Sequence, residues 1–276
     1  MICPLKYLHI RIKVHYEILI VGATGSIGLH VVSEAFKMGH KPRALVRNPR
    51  KARLLPHDTD VVYGDVAMPE TLKDVIKDID AVIFTLGSGE QGRIGARAID
   101  YGGVRNILKL LTGAAVRIVL MTTIGVTERL GAWNQRTEVH DWKRRAERLV
   151  RASGHPYTIV RPGWFDYNEP DERQLVFLQG DRRHAGTPED GVIARDQIAR
   201  VLVSALTDIA AENKTFELVA VKGNEQATLT PLFADMLPDN PIRNDGVHDL
   251  NNMPPEKEPD FIRADLYAIH PDSTAA

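Results

Sequence analysis

The sequence predicts an α/β fold in which a doubly wound parallel sheet is covered by helices on both faces. Short apolar runs alternate with helix-patterned segments through most of the 276 residues, as in a parallel sheet. The first run, Ile18–Val21, leads directly into Gly22, Gly25 and Gly28, and a helical pattern follows. A composition of 43% hydrophobic and 26% charged residues provides for one large α/β domain, or for one domain with a small lobe.

Each predicted strand is a short apolar run, and each predicted helix has its apolar residues three or four positions apart. In a sheet of this kind, ligands bind at the carboxyl ends of the strands, near the switch between the first and fourth strands. After the first strand, the predicted strands are 41–47, 60–63, 81–85, 116–121, 157–160 and 215–221. The predicted helices are 26–38, a short helix 49–55, an amphipathic helix 69–77, a long helix from 93 to about 112, one helix over 133–153, and 195–206.

Composition divides the chain into three parts. Residues 1–15 are an N-terminal extension, and 16–237 form the domain, which includes a small C-terminal substrate lobe at about 163–194. Residues 238–276, where Pro, Asp and Asn dominate, are predicted to be a peripheral tail that is partly ordered at best.

Charge and hydropathy exclude several classes of partner. The formal net charge of -1 gives no electrostatic argument for nucleic acid or an anionic membrane. The single cysteine, Cys3, excludes an internal disulfide framework. Charged residues interrupt the N-terminal segment and no window reaches eighteen apolar residues, so we expect a cytoplasmic protein with neither signal peptide nor transmembrane helix.

The glycine turn reads GATGSIG and has the composition of a phosphate-binding turn. Gly22 permits a sharp exit from the strand, Gly25 lets phosphate oxygens approach the backbone, and Gly28 lets the helix lie close to the sheet. The expected cofactor-binding residues of this turn are Gly22, Thr24, Gly25, Ser26, Ile27 and Gly28.

With the spacing G-x-x-G-x-x-G, this turn resembles the short-chain dehydrogenase/reductase superfamily, and most of all the atypical branch that includes the NmrA-like NAD(P)-binding Rossmann proteins. The resemblance covers roughly residues 16–221 and implies a Rossmann sheet that binds a nicotinamide dinucleotide. It also implies that Asp65 and Val66 border the adenine. The loop that begins Thr85, Leu86, Gly87 would then lie beside the nicotinamide ribose.

The end of the second predicted strand favours NADP over NAD. NAD-specific sites usually place a carboxylate there to accept hydrogen bonds from the ribose 2′-OH. Here the sequence VRNPR offers Arg47 and Arg50 instead, and a guanidinium can clamp a 2′-phosphate. A solvated basic turn is the other interpretation of these residues.

The resemblance implies a catalytic Ser or Thr after the fifth strand, and a Tyr and a Lys spaced Y-x-x-x-K on a helix. Thr123 matches the hydroxyl position and Lys143 matches the lysine, which in the superfamily binds the ribose. The tyrosine position is Val139, and a valine cannot transfer a proton.

Three substitutes for the missing phenol remain open. His140 lies three residues before Lys143 on nearly the same helix face and could act as acid or base. Tyr167 or another loop residue could enter the site. Alternatively, hydride passes to a flavin or quinone that needs no fixed phenol. Each residue also has a competing interpretation. His140 could be an ordinary half-buried histidine, and Lys143 could be a solvated lysine that pairs with Glu147.

The strand end R-P-G leads into an aromatic run. Trp164, Phe165 and Tyr167 would form a wall of a substrate pocket suited to a flat apolar molecule, although aromatic residues after a strand also serve packing alone. No His, Cys or carboxylate pair has convincing metal-site spacing, so no metal is expected.

The function expected from these residues is an NADP(H)-dependent oxidoreductase that transfers hydride to a small conjugated, quinone-like or flavin-like acceptor. One alternative is a non-catalytic, NADP(H)-sensing regulatory module of the NmrA-like type. An NAD(P)-dependent epimerase or dehydratase is a weaker alternative, because those chemistries depend on the absent tyrosine. The expected partner is a small-molecule substrate, and a homodimer or a protein partner is left open.

Overall fold

The computed structural model describes residues 15–89, 91–111, 113–240 and 243–270. Over these residues it contains one sheet of ten strands in the order β3-β2-β1-β4-β5-β6-β10-β9-β7, with β8 pairing β10. The strands are β1 Glu17–Val21, β2 Lys41–Val46, β3 Asp60–Tyr63, β4 Ala81–Phe84, β5 Arg117–Met121, β6 Tyr157–Pro162, β7 Trp164–Phe165, β8 Gln174–Leu178, β9 Val192–Ile193 and β10 Lys214–Val221.

The sheet is parallel from β3 through to β10, and β8 and β9 pair with β10 antiparallel. Strand β1 lies between β2 and β4, so the chain reverses its direction of winding at the carboxyl end of β1. The glycine turn begins there. The predicted doubly wound Rossmann fold is confirmed, and the turn occupies the topological switch point.

Helices cover both faces of the sheet. Successive residues of β1 point to opposite sides, and because the residues from Ile18 to Val21 are all apolar, each side needs a layer of helices. Ile18 and Ile20 join the core under α1 and α6, whereas Leu19 and Val21 join the core under α3 and α5. The helices are α1 Ser26–Lys37, α2 Gly92–Gly95, α3 Gly102–Leu110, α4 Ala132–Thr137, α5 Val139–Ala152, α6 Arg195–Thr207, α7 Thr230–Asp235 and α8 Asp260–Ile269. A π-helical segment, Ala96–Tyr101, joins α2 to α3, and no described helix is long and apolar enough to cross a bilayer.

The prediction of an amphipathic helix over residues 69–77 is wrong. Only one 3₁₀ turn forms, at Pro69–Thr71, and turns follow it. The Thr71 hydroxyl donates to the Met68 carbonyl and accepts the N–H of Asp65, which ties this segment back to the end of β3. Leu72 and Val75 of this short connection are buried in the core. The spacing of apolar residues that predicted a helix therefore reflects core packing in a non-helical segment.

The single helix predicted over 133–153 is two helices. Glu138 has a φ of 55°, in the left-handed region, which ends α4 and starts α5. The side-chain oxygen of Asn134 accepts the N–H of His140 at 2.9 Å and that of Asp141 at 3.3 Å, and so caps the second helix. The break sets the direction of the helix that carries Lys143.

The C-terminal segment is not a loose tail, and that expectation is corrected over its described residues. Asp245 and Glu258 form buried ion pairs with arginines of α5, and Asp249 pairs with Arg161 at the end of β6. Helix α8 packs against α3 and α5. The polar composition that predicted disorder instead provides counter-ions for buried arginines.

Candidate functional site

The glycine turn has no room for a side chain at two of its three glycines. Gly22 has a φ of +97°, and a Cβ there would lie 2.8 Å from the Thr85 Oγ1. A Cβ on Gly28 would lie 2.1 Å from the Gly22 carbonyl oxygen, so α1 begins directly against the turn. Gly25 is exposed and donates its N–H to the Gly22 carbonyl at 2.9 Å. These residues fit a pyrophosphate, because the backbone is bare where phosphate oxygens would approach.

The amino end of α1 adds donors to this turn. Ser26 is exposed, Thr24 is half-buried and Ile27 packs into the core. Within the described chain, no side chain caps the helix at Gly25. The first-turn N–H groups of this twelve-residue helix therefore face outward beside Gly25, with the positive end of the helix dipole behind them.

Arg47 and Arg50 are exposed beside the end of β2, the strand next to β1. Asn48 separates them, and its side chain accepts the N–H of Arg50 at 3.0 Å, which shapes the turn. Neither guanidinium pairs with a carboxylate among the described residues, so both are free to bind an anion.

The predicted adenine border lies at the end of β3, two strands from the glycine turn. Asp65 is half-buried, and its Oδ1 accepts the N–H of Ala67 at 2.9 Å. Val66 is buried, and its carbonyl accepts a hydrogen bond from the side-chain amide of Asn106 at 2.7 Å. Hydrogen bonds thus hold both residues in place.

Lys143 reaches the loop that follows β4. Its Nζ lies 3.3 Å from the carbonyl oxygen of Leu86 and 2.7 Å from the Oδ1 of Asp100. The expected alternative, a solvated Lys143 paired with Glu147, does not occur. Thr85, which precedes Leu86, is the residue packed against Gly22, and the exposed Gly87 has open space at its Cβ position. The structure therefore brings Lys143 to the loop predicted to lie beside the nicotinamide ribose.

Of the two threonines after β5, only Thr123 is available to a ligand. Thr122 is buried and donates its hydroxyl to Glu147 at 2.7 Å. Thr123 is half-buried, and its hydroxyl donates to the neighbouring Ile124 carbonyl at 3.2 Å. The hydroxyl of Thr123 therefore retains its capacity to accept a hydrogen bond.

His140 lies at the start of α5 with one ring nitrogen engaged. Its Nδ1 is 3.2 Å from the Glu128 carbonyl oxygen, so this nitrogen carries the proton and Nε2 is left as an acceptor. Burial lowers the pKa of His140, and the bond to Glu128 opposes only part of that effect. At neutral pH the imidazole is therefore uncharged, and it can accept a proton more readily than donate one.

The three predicted pocket aromatics do not share one face. Trp164 and Tyr167 form an exposed edge-to-face pair with centroids 6.0 Å apart. Phe165 packs against the core beneath α1 and α6, with the Arg195 guanidinium 5.5 Å from its ring centre. An aromatic wall toward solvent therefore consists of Trp164 and Tyr167.

A buried carboxylate fixes the loop after β5. Asp181 accepts the N–H groups of Gly125 and Thr127, each at 2.6 Å. Burial would raise the pKa of Asp181, but hydrogen bonding to His184 and the charge of Arg161 overcome it, so its pKa is lowered. The loop that carries Thr123 is thus anchored to a charge in the protein interior.

Comparison with known proteins matches residues 22–209 to a family described as NAD(P)H-binding. The chain belongs to this NAD(P)H-binding family. It is 30% identical over 208 residues to the uncharacterized sugar epimerase YhfK of Bacillus subtilis, which covers 73% of this chain and 93% of the relative. It is also 30% identical over 223 residues to the isoflavone reductase homolog A622 of Nicotiana tabacum, covering 73% of this chain and 67% of that one.

Among solved structures, a Bacillus halodurans protein named as a candidate NAD-dependent epimerase/dehydratase has the same fold, with a TM-score of 0.66 at 24% identity. The match covers 79% of this chain and 99% of that chain. The resemblance to the atypical short-chain dehydrogenase/reductase superfamily is confirmed, and the family description supports a nicotinamide cofactor.

Membership in the family does not account for every feature of the fold. A cavity of about 790 Å³ lies beside Met38, Thr207 and Leu229, near the carboxyl ends of α1 and α6. In a parallel sheet this is the edge opposite the glycine turn, so the cavity is separate from the site of the family.

Across the described residues no cluster of His, Cys, Asp or Glu could hold a metal ion.

Two site carboxylates, Asp100 and Asp181, were missed from the sequence. Asp100 stands between Ile99 and Tyr101 in the predicted helix, and a charge between two core-facing residues is the signal that could have identified it. Asp181 follows Gly180 in an irregular segment whose contacts with the loop after β5 are more than fifty residues apart in sequence. No local pattern could have revealed that contact.

Proposed function

We propose that the protein is an NADP(H)-dependent oxidoreductase that passes hydride to a small, uncharged conjugated acceptor of the quinone or flavin class. The observation that carries the proposal is the placement of Lys143, whose Nζ lies 3.3 Å from the carbonyl of Leu86, immediately after the residue packed on Gly22. A lysine beside the glycine turn can orient a ribose. The name of the isoflavone reductase homolog, a 30% identical relative, supports reductase chemistry.

The bound cofactor would supply the hydride, and the side chains would orient the reactants. Lys143 extends from α5 to the loop after β4, and Thr123 follows β5, the next strand, so an ammonium and a hydroxyl lie at the ends of two neighbouring strands. The charges around the site favour an uncharged acceptor. Asp100 already balances the charge of Lys143, and burial keeps His140 neutral. Trp164 and Tyr167 supply exposed aromatic surface on which a flat ring can stack.

The absent phenol supports an acceptor that takes its protons from water. Val139 has no proton to give, and neutral His140 has only an acceptor nitrogen left. Reduction of an isolated carbonyl needs a proton at the alkoxide oxygen, whereas a reduced quinone or flavin has pKa values that allow uptake from solvent. Epimerase chemistry, which the name of the Bacillus subtilis relative raises, has less support for the same reason.

An acceptor panel tests this proposal. Purified protein is mixed with NADPH and a set of quinones, flavins and aldehydes, and loss of reduced-nicotinamide absorbance is followed. We expect turnover with quinones or flavins and slower turnover with aldehydes. Saturable NADPH binding without turnover on any acceptor would reject the enzyme and favour the second candidate, a non-catalytic NADP(H)-sensing module, which Val139 at the tyrosine position supports.

Arg47→Glu is expected to weaken NADPH binding by ~10- to 100-fold while changing NADH binding by less than about threefold. The substitution removes a charge-assisted clamp on the 2′-phosphate, worth about 1.5–3 kcal/mol, and NADH has no such group. Dissociation constants for both nucleotides, measured by nicotinamide fluorescence, check the expectation. Arg53→Glu, the same charge change within the short helix Pro49–Leu54, is the matched control. Equal loss for the two nucleotides would refute a 2′-phosphate site at Arg47.

A further inference from the structure

Asp100 is a fully buried carboxylate in contact with the candidate site. Its side chain is 0% exposed and that of Lys143 is 12% exposed, so the pair is almost entirely withdrawn from water. The Lys143 Nζ lies 2.7 Å from Asp100 Oδ1. The other carboxylate oxygen of Asp100 accepts the N–H of Ser88 at 3.3 Å. One side chain thus holds both the ammonium and the loop that follows β4.

The backbone around Asp100 is unusual in the same place. Ala96–Tyr101 is π-helical, a wider winding that is rare and commonly accompanies functional sites. The next residue, Tyr101, is fixed on the other side, because its hydroxyl donates to Asp265 at 2.9 Å and its ring lies 5.5 Å from that of Trp142. Tyr101 therefore packs against α5 and α8, whereas Asp100 contacts Lys143 and the N–H of Ser88.

The ammonium of Lys143 keeps N–H groups for a ligand. An ammonium has three N–H groups. One is donated to the Leu86 carbonyl, and the ion pair with Asp100 holds the charge beside that loop. A lysine on a flexible stem without such contacts would pay a side-chain entropy cost when it binds a ribose.

We propose that Asp100 is a positioning residue for cofactor binding: it holds the Lys143 ammonium and the Leu86–Ser88 loop ready to receive the nicotinamide ribose. The proposal rests on the proposed function in that it takes NADPH as the ligand. Asp100 itself does not touch the ligand, and its effect passes through Lys143.

A double-mutant cycle on NADPH affinity tests this role. The variants are Asp100→Asn, Lys143→Met and the double substitution, with dissociation constants from nicotinamide fluorescence and folding followed by thermal unfolding. Asparagine keeps the shape and the acceptor for Ser88 but removes the charge. We expect Asp100→Asn to weaken NADPH ~5- to 10-fold in the native background, and less than about twofold once Lys143 is methionine, because coupled residues are not additive.

Asp265→Asn is the matched control. This carboxylate also touches the π-helical segment, through Tyr101, and pairs with Lys109, but it makes no contact with Lys143. NADPH affinity is expected to stay within about twofold of the native value. A loss equal to that of Asp100→Asn would mean that any charge removed near this helix has the same effect, which overturns the proposal.

The outcomes separate this inference from the proposed function. An equal loss for Asp100→Asn in both backgrounds would show a purely structural role and overturn the inference, whatever the enzyme does. If Asp100→Asn fails to fold but the double variant folds, the carboxylate serves the fold as the counter-ion of a buried ammonium, which overturns a role in cofactor binding. If both fail to fold, the role is structural. A native protein that does not bind NADPH refutes the proposed function itself, whereas lack of acceptor turnover leaves the binding cycle intact.

Discussion

Asp245→Ala is expected to lower the free energy of unfolding by ~3–5 kcal/mol, a large part of the total for a domain of this kind. Asp245 accepts hydrogen bonds from Arg144 at 3.1 and 3.2 Å and from Arg148 at 2.8 and 2.9 Å. The side chains of these arginines are 0% and 2% exposed. Without the carboxylate, two buried guanidinium groups share the remaining acceptors, and removing one partner of a buried ion pair is far costlier than replacing the whole pair.

The pKa of Asp245 predicts the pH range of this effect. Burial alone would raise that pKa, but hydrogen bonds from Arg148 and the charge of Arg144 prevail, so it lies below the ordinary 3.8. A group with a lowered folded-state pKa stabilises the protein above its unfolded pKa, and the stabilisation is lost as the pH falls through the folded value. The native protein and the variant should therefore differ fully at neutral pH and converge on acidification below about pH 4.

Urea unfolding followed by circular dichroism measures the difference. Asp260→Ala is the control: its carboxylate belongs to the same segment and pairs with Arg263, but its side chain is 94% exposed. We expect no change for the control within experimental error. An Asp245→Ala protein as stable as the native one at neutral pH would show that the C-terminal segment does not depend on this ion pair.

The sequence predicts the sheet and the glycine turn well because both are governed by local rules. Alternating apolar runs and helices admit few parallel topologies, and the positive φ of Gly22 and the closeness of Gly28 to its carbonyl can be satisfied only by glycine. The sheet and the turn needed no knowledge of distant contacts. The approach of Lys143 to the β4 loop, 57 residues away in the chain, was implied by the family resemblance alone.

The features that sequence reasoning missed depend on contacts far apart in the chain. Asp249 meets Arg161 across 88 residues, so a segment that reads as disordered in isolation becomes ordered by its partners. The break at Glu138 depends on a side-chain cap from Asn134 that helical periodicity does not register. The pairing of Asp100 with Lys143 likewise requires the packing of two helices, which composition cannot specify.

Gly28→Ala is expected to weaken NADPH binding by ~100-fold or more and to destabilise the fold by about 1–3 kcal/mol. The added Cβ would lie 2.1 Å from the Gly22 carbonyl oxygen and 2.7 Å from the Cα of Ala23, all of it rigid backbone. Helix α1 must therefore move away from the turn. If the turn binds the pyrophosphate as expected, the first-turn N–H groups then no longer point at it, and each charge-assisted hydrogen bond lost costs about 1.5–3 kcal/mol.

Gly25→Ala separates the two consequences. Its Cβ would lie 3.1 Å from the Gly22 carbonyl, and Gly25 has a negative φ of -81°, which alanine adopts without strain. The methyl group would stand where phosphate oxygens approach the backbone. We therefore expect a clear loss of NADPH affinity with a smaller loss of stability than Gly28→Ala causes.

Fluorescence titration with NADPH and urea unfolding of both variants provide the measurements, with Ser33→Ala on the exposed side of α1 as the control. Ser33 is far along the helix from the turn, so its replacement should leave NADPH affinity unchanged. Native NADPH affinity in Gly28→Ala would mean that the start of α1 does not hold the pyrophosphate. A loss of stability without a loss of affinity would lead to the same conclusion, because the clash acts on binding only through the position of the helix.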